Sequence, residues 1–247
     1  MKPADRLIVA LDVENLDKAR RMVKTLGAVG VRHFKVGLGL FTATGPAAVD
    51  LVHQEGAQVF LDLKFHDIPN TVAHACRSAA RLGVWMTNLH ISGGGGMMRQ
   101  AISAVAAEAA ASRKQPPILI GVTVLTSMGQ AEIAEIGIQR PVQDQVLQLA
   151  KLAQASGLNG VVASPKEAQM IRSTCGPNFV IVTPGIRPAA KAPGQGRPAD
   201  DQQRIATPAE ALKMGADYIV VGRPIVEAED PARAAQEVLV ELGDKNG

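Results

Sequence analysis

Short apolar runs alternate along the whole chain with longer stretches of helical period. Residues 7–11, 33–36, 58–61, 85–90, 118–125, 160–163, 179–182 and 218–221 are rich in Val, Ile, Leu and Phe and are bounded by turn formers, so they read as eight strands. Between them apolar residues recur every three to four positions. Ala19, Met22, Val23 and Leu26 lie behind an Asn15 cap and ahead of a Gly27 stop. Further helices are predicted over 46–52, 69–82, 97–111, 142–155 and 231–242, with Pro165 opening one more after the sixth strand. Roughly eight strands alternating with helices, with no linker-like break, predict an α/β chain folded as one (β/α)8 TIM barrel over residues 1–247. A doubly wound open sheet is the alternative, but the first strand is not followed by the Gly-x-Gly-x-x-Gly turn of a dinucleotide site.

Charge interrupts this pattern at particular places. The first strand ends at Asp12, and Lys35 lies inside an apolar run. In the third strand the alternation of faces sends Phe60, Asp62 and Lys64 one way and Val59, Leu61, Leu63 and Phe65 the other. The second row has a core to face. The first ends in a carboxylate and an ammonium about 7 Å apart at their Cα atoms, at roughly 3.3 Å rise per residue, with Asp67 just beyond. In a barrel the site forms at the C-terminal strand ends, and Asp12, Lys35, Asp62, Lys64, Thr126, Ser127, Arg187, Gly222 and Arg223 all fall at that end. Gly222 and Arg223 follow the eighth strand, where an amide and a guanidinium suit a phosphate. Between Pro184-Gly185-Ile186-Arg187 and Thr207-Pro208 runs a Pro-, Gly- and Ala-rich stretch of the length of a lid.

Composition narrows the partners. Hydrophobic residues make up 47% but aromatics only 3%, which implies an aliphatic interior suited to helices packed on a parallel sheet. The net charge of +3 is spread along the chain without a basic run or stacking aromatics, so no nucleic acid is expected and the balance suits an anionic small molecule. No stretch has the character of a signal peptide or the length of a membrane span, so no membrane partner is expected. Cys76 and Cys175 lack metal-ligand spacing and read as buried free thiols, favouring a reducing cytoplasm. His33, His53, His74 and His90 have no evident convergent partners, and His66 reads as shaping its loop. Gly93 to Gly96 read as relieving crowding, and Trp85 and Tyr218 as packing.

Asp62-x-Lys64-x-x-Asp67-Ile68-Pro69-Asn70-Thr71, together with Ala10-Leu11-Asp12, Lys35-Val36-Gly37, Leu125-Thr126-Ser127, Thr183-Pro184-Gly185-Ile186-Arg187 and Gly222-Arg223-Pro224, resembles the orotidine 5'-phosphate decarboxylase family over nearly the whole chain. The resemblance implies conversion of orotidine 5'-monophosphate to uridine 5'-monophosphate and CO2 in pyrimidine synthesis, with no metal and no organic cofactor. It implies a charged network of Lys35, Asp62, Lys64 and Asp67, the last reaching with Ile68 and Thr71 into the site of a second subunit, hence a homodimer. By the same resemblance Asp12 and Lys35 hold ribose hydroxyls and Ser127 the pyrimidine edge, Thr126 makes the adjoining loop contact, Pro184 is substrate-binding, and Arg187, Gln202, Gly222 and Arg223 line the phosphate region. Extra residues around 191–198 set Asp201-Gln202-Gln203-Arg204 further from Gly-Ile-Arg than in the family, so Gln203 is the alternative to Gln202.

The chemistry of the residues is compatible with that activity. Loss of CO2 from C6 of the pyrimidine leaves a lone pair in the ring plane that the π-system cannot delocalise, so fixed positive charge has to meet it. Two rivals stay open on sequence: a metal-dependent phosphosugar enzyme on the same barrel, and a nucleotide-binding protein without catalysis.

Overall fold

The computed structural model describes residues 2–188 and 206–243. Eight parallel strands close into a barrel in chain order: β1 (Leu7–Ala10), β2 (His33–Gly37), β3 (Gln58–Phe65), β4 (Met86–His90), β5 (Ile118–Val122), β6 (Gly160–Val162), β7 (Val180–Thr183) and β8 (Tyr218–Val221). The seam closes between β1 and β8, with Leu7 opposite Ile219 and Val9 opposite Val221. The period-2 alternation of the strands sorts their side chains into two sets. Ile8, Ala10, Phe60, Met86, Ile120, Val182 and Val220 meet inside the barrel. Leu7, Val9, Val59 and Leu61 face outward into the apolar shell under the helices, where Val23, Leu26, Val49 and Val52 cover them. Each such aliphatic side chain, fully withdrawn from water, contributes about 1.5–3 kcal/mol.

The helices follow the expected order with local differences. The helix after β1 spans Leu16–Ala28, and Asn15 Oδ1 accepts the Lys18 N–H at 3.0 Å as its cap. The helix after β4 begins at Gly94 rather than at 97. Among the helices that lie where none was read are Leu38–Thr44, directly after β2, and Pro208–Lys213, before β8. The second was legible. Thr207-Pro208-Ala209-Glu210 is a capping box, in which Thr207 Oγ1 accepts the Glu210 N–H at 3.2 Å and Glu210 Oε2 accepts the Thr207 N–H at 2.8 Å.

The N-terminal end of the barrel is plugged by rings. His33 and Trp85 lie with centroids 4.3 Å apart, and Trp85 meets Tyr218 edge-on at 5.1 Å. Trp85 and Tyr218 thus pack as expected, and His33, read as an ordinary surface or core histidine, is a buried member of the plug. Among the described residues the opposite end is open.

Candidate active site

The inward rows of β1, β2 and β3 end in charged residues at the open end. On β1 the row runs Ile8, Ala10 and then Asp12; on β2 it passes from His33 through Lys35; on β3 it passes from Phe60 to Asp62. A cavity of about 250 Å³ opens at this end, and Asp12, Lys35, Asp62, Lys64, Thr126, Ser127, Pro184, Arg187, Gly222 and Arg223 all line it. Ten residues from six strand ends and the loops that follow them therefore converge on one mouth. The apolar floor, from Ala10, Phe60, Val122, Val162 and Val220, leaves room for an uncharged ring.

β5 stops at Val122, three residues before the end expected for it. Thr123 donates from both its amide and its hydroxyl to the Val162 carbonyl, at 3.3 and 2.9 Å, and the chain bends at Val124. This bend brings Val124 to Ser127 onto the mouth as a loop.

The charges form one chain across three strands. Asp62, only 7% exposed, sets Oδ1 at 2.7 Å from Lys64 Nζ and Oδ2 at 3.2 Å from Lys35 Nζ, and Lys35 also reaches Asp12 Oδ1 at 3.4 Å. Burial on its own would raise the Asp62 pKa, but the two ammoniums outweigh it and hold the carboxyl below its ordinary value. Burial would likewise lower Lys35, yet Asp62 and Asp12 overcome that and keep its pKa above the ordinary one. Gly37 makes room for this contact, since a Cβ there would stand 2.9 Å from Lys35 Nζ.

β3 is not the regular ladder that its alternating sequence predicts. Leu61 pairs with Thr87 and Phe65 with Leu89, so four positions on β3 match two on β4. The surplus is taken up at Lys64, which has φ +50°, in the left-handed region that a lysine seldom enters. There Asn88, buried on β4, accepts the Lys64 N–H through Oδ1 at 2.8 Å and donates from Nδ2 to Asp62 Oδ1 at 2.7 Å. The sequence reading missed Asn88. Its signal was phase: Asn88 is two residues beyond Met86 on the inward row of β4, at the height of Asp62 on β3. His90, two residues further on, lies with its ring 5.4 Å from that of His66, and burial, with the charges of His66 and Lys64, pulls its pKa down. His90 and His66, read as lacking convergent partners and as loop-shaping respectively, thus adjoin each other beside the site.

Asp67, Ile68 and Thr71 do not line the cavity of their own chain. All three are exposed, Ile68 at 67%, and Asp67 Oδ1 accepts the neighbouring Ile68 N–H at 2.6 Å. On the far side of the mouth, the Arg187 N–H donates to the Ala206 carbonyl at 2.9 Å and the Arg187 Nη1 to the Ile186 carbonyl at 3.0 Å. Gln202, Gln203 and the stretch read as a lid lie outside the described residues, apart from its two roots. Among the described residues no helix is long and apolar enough to cross a membrane. Nor does any group of three His, Cys, Asp or Glu among them converge as a metal site.

A family model described as "Orotidine 5'-phosphate decarboxylase / HUMPS family" matches residues 5–238. The chain is 51% identical over 243 residues to the orotidine 5'-phosphate decarboxylase of Moorella thermoacetica, covering 98% of this chain and 94% of that one. It is 49% identical to the protein of the same name from Idiomarina loihiensis, over 97% of this chain and 98% of the relative. The fold superimposes on the crystal structure of orotidine 5'-phosphate decarboxylase from Lactobacillus acidophilus with a TM-score of 0.83 and 37% identity, covering 96% and 98% of the two chains.

Proposed function

The chain belongs to the orotidine 5'-phosphate decarboxylase / HUMPS family, and we infer that it converts orotidine 5'-monophosphate to uridine 5'-monophosphate and CO2 in de novo pyrimidine biosynthesis, without a cofactor. The observation that carries this reading is the buried Asp62 carboxylate held between the ammoniums of Lys35 and Lys64 at one side of a mouth whose other side is built from Arg187, Gly222 and Arg223.

The chemistry follows from that arrangement. The nucleotide phosphate lies against Arg187, Gly222, Arg223 and Pro184, where guanidinium donors and loop amides match its oxygens. The ribose hydroxyls meet Asp12 and Lys35, while Ser127 and Thr126 border the pyrimidine. This grip sets C6 and its carboxylate over Asp62 and Lys64. When the C6–carboxylate bond breaks, its electron pair stays on C6 and CO2 leaves. The Lys64 ammonium, already fixed by Asp62, stabilises that pair and then transfers its proton to C6, giving the product and a neutral amine that regains a proton from water. Repulsion between Asp62 and the substrate carboxylate opposes the ground state and vanishes as CO2 departs. Binding energy from the distant phosphate offsets the cost of bringing the two carboxylates together.

The unit of function in this reading is a homodimer. Asp67, Ile68 and Thr71 face solvent in the single chain, and the exposed Ile68 beside a carboxylate supports their insertion at a second copy's mouth. Asp67 would then stand as the fourth charge of the network. Gln202 or Gln203 completes the phosphate contacts. A cytoplasmic location belongs to the same reading, supported by two free, buried cysteines.

The test is formation of uridine 5'-monophosphate from orotidine 5'-monophosphate by purified protein in excess chelator. Turnover that is unchanged by the chelator is the expected result; turnover only after a divalent metal is restored would point to the phosphosugar branch of the fold.

A further inference from the structure

Asn88 has no part in the scheme above, yet it grips two of its members at once. Its side chain is 1% exposed, with Nδ2 donating to Asp62 Oδ1 and Oδ1 accepting the Lys64 N–H. Those two bonds fix which way the amide points, because the flipped orientation would oppose its NH2 to an N–H and its carbonyl to a carboxylate. Lys64 is also where β3 leaves its ladder with β4, so the Lys64 N–H lacks a strand carbonyl and the Asn88 side chain supplies the acceptor instead. The result is a closed circuit: the Lys64 amide to Asn88, Asn88 to Asp62, and Asp62 back to the Lys64 ammonium at 2.7 Å.

We propose that Asn88 is a positioning residue for the decarboxylation, one amide that holds the backbone of the proton donor in its left-handed turn and locks the rotation of the carboxylate paired with it. This rests on the decarboxylase reading. With Asn88 in place, the two ends of the Lys64 side chain are tied to one rigid element, the inward row of β4. Without it, the backbone is free to relax toward a regular strand, and the ammonium meets C6 in only a fraction of conformers. The groups that grip phosphate and ribose do not touch Asn88, so the loss falls on turnover and not on binding.

The experiment compares the parent with Asn88→Ala, which removes both bonds, and the isosteric Asn88→Asp, which keeps an acceptor for the Lys64 N–H but sets a carboxylate oxygen against Asp62. Both are expected to lose about 10- to 100-fold in kcat, with KM within about threefold of the parent. Asp62 is faced by Lys35 from β2, Lys64 on its own strand, His90 from β4 and, through Lys35, by Asp12. Against these unchanged neighbours, removal of the Asn88 donor shifts the acid limb of the Asn88→Ala kcat/KM profile to higher pH. A crystal structure of Asn88→Ala reads the geometry without reference to turnover, and Lys64 leaving the left-handed region is the expected outcome. A kcat within about twofold of the parent in either folded variant, or Lys64 keeping both its φ and its Asp62 contact in Asn88→Ala, would overturn the role; if the alanine variant does not fold, the aspartate variant decides. A parent that fails to turn over orotidine 5'-monophosphate strikes the decarboxylase reading, whereas an active parent with equally active variants strikes only Asn88.

Discussion

Lys64 Nζ stands 2.7 Å from Asp62 Oδ1, and the other oxygen of that carboxylate is engaged by Lys35 at 3.2 Å. One buried anion is thus shared by two cations, and with Asp12 against Lys35 at 3.4 Å the four charges balance. The Lys64 ammonium lines the cavity, and a fixed cation there is what a developing carbanion needs.

In the proposed mechanism, Lys64→Ala removes the proton donor and the charge nearest C6. We expect kcat to fall by on the order of 10³-fold or more, while the melting temperature changes by only a few degrees because Lys64 is partly exposed at the mouth. Uridine 5'-monophosphate formation and thermal melting, measured together, check this; near-normal turnover would remove Lys64 from the role.

Stability should depend on acid through Asp62. Its pKa is depressed in the folded protein, so its contribution is complete above the unfolded carboxylate value of about 4 and is lost as pH falls through the lower folded value. Asn substitution removes that dependence. Melting curves of the parent and Asp62→Asn should therefore converge as pH drops below about 4, and a constant gap between them across that range would contradict the linkage. Lys35, with a raised pKa, behaves in the opposite sense, stabilising up to its unfolded value and losing that contribution only as pH rises through the higher folded one.

Mixing tests the shared site. Lys64→Ala and Asp67→Ala are each expected to be nearly inactive. In a mixed dimer, one of the two mouths unites an intact Lys64 with the other chain's intact Asp67. Random reassortment of the two variants should recover about a quarter of the parent activity. No recovery after demonstrated subunit exchange would mean that Asp67 does not act across an interface.

The thiols should be silent. Burial pushes the Cys76 pKa up to about 12 and raises that of Cys175, so little thiolate is present near neutrality. A chromogenic disulfide reagent should label neither residue in the native protein and both after denaturation. Rapid labelling of Cys76 in the folded chain would place it on an accessible surface.

The alternation of strands and helices was legible because each strand's aliphatic run is flanked by helical periodicity, and the mouth was legible because Asp12, Lys35, Asp62 and Lys64 are charges in otherwise apolar strands. Other features left weaker marks. The break in β3 was hidden, since Gln58 to Phe65 reads as an unbroken alternation and the extra residues show only in pairing with β4. Asn88 carries no charge and so did not stand out from its strand. At the early end of β5 Thr123 meets the Val162 carbonyl, a contact between segments distant in sequence. Asp67, Ile68 and Thr71 were assigned to a shared site by motif alone, and in the single chain all three are exposed.

The Arg187–Ala206 hydrogen bond acts as a clasp with a practical outcome. Chain length added between the two residues is closed off at its base, so a longer or shorter insert there costs little closure entropy and leaves the Arg187 backbone where β7 delivers it. A change in the number of residues between them is therefore expected to leave the Arg187 backbone in place.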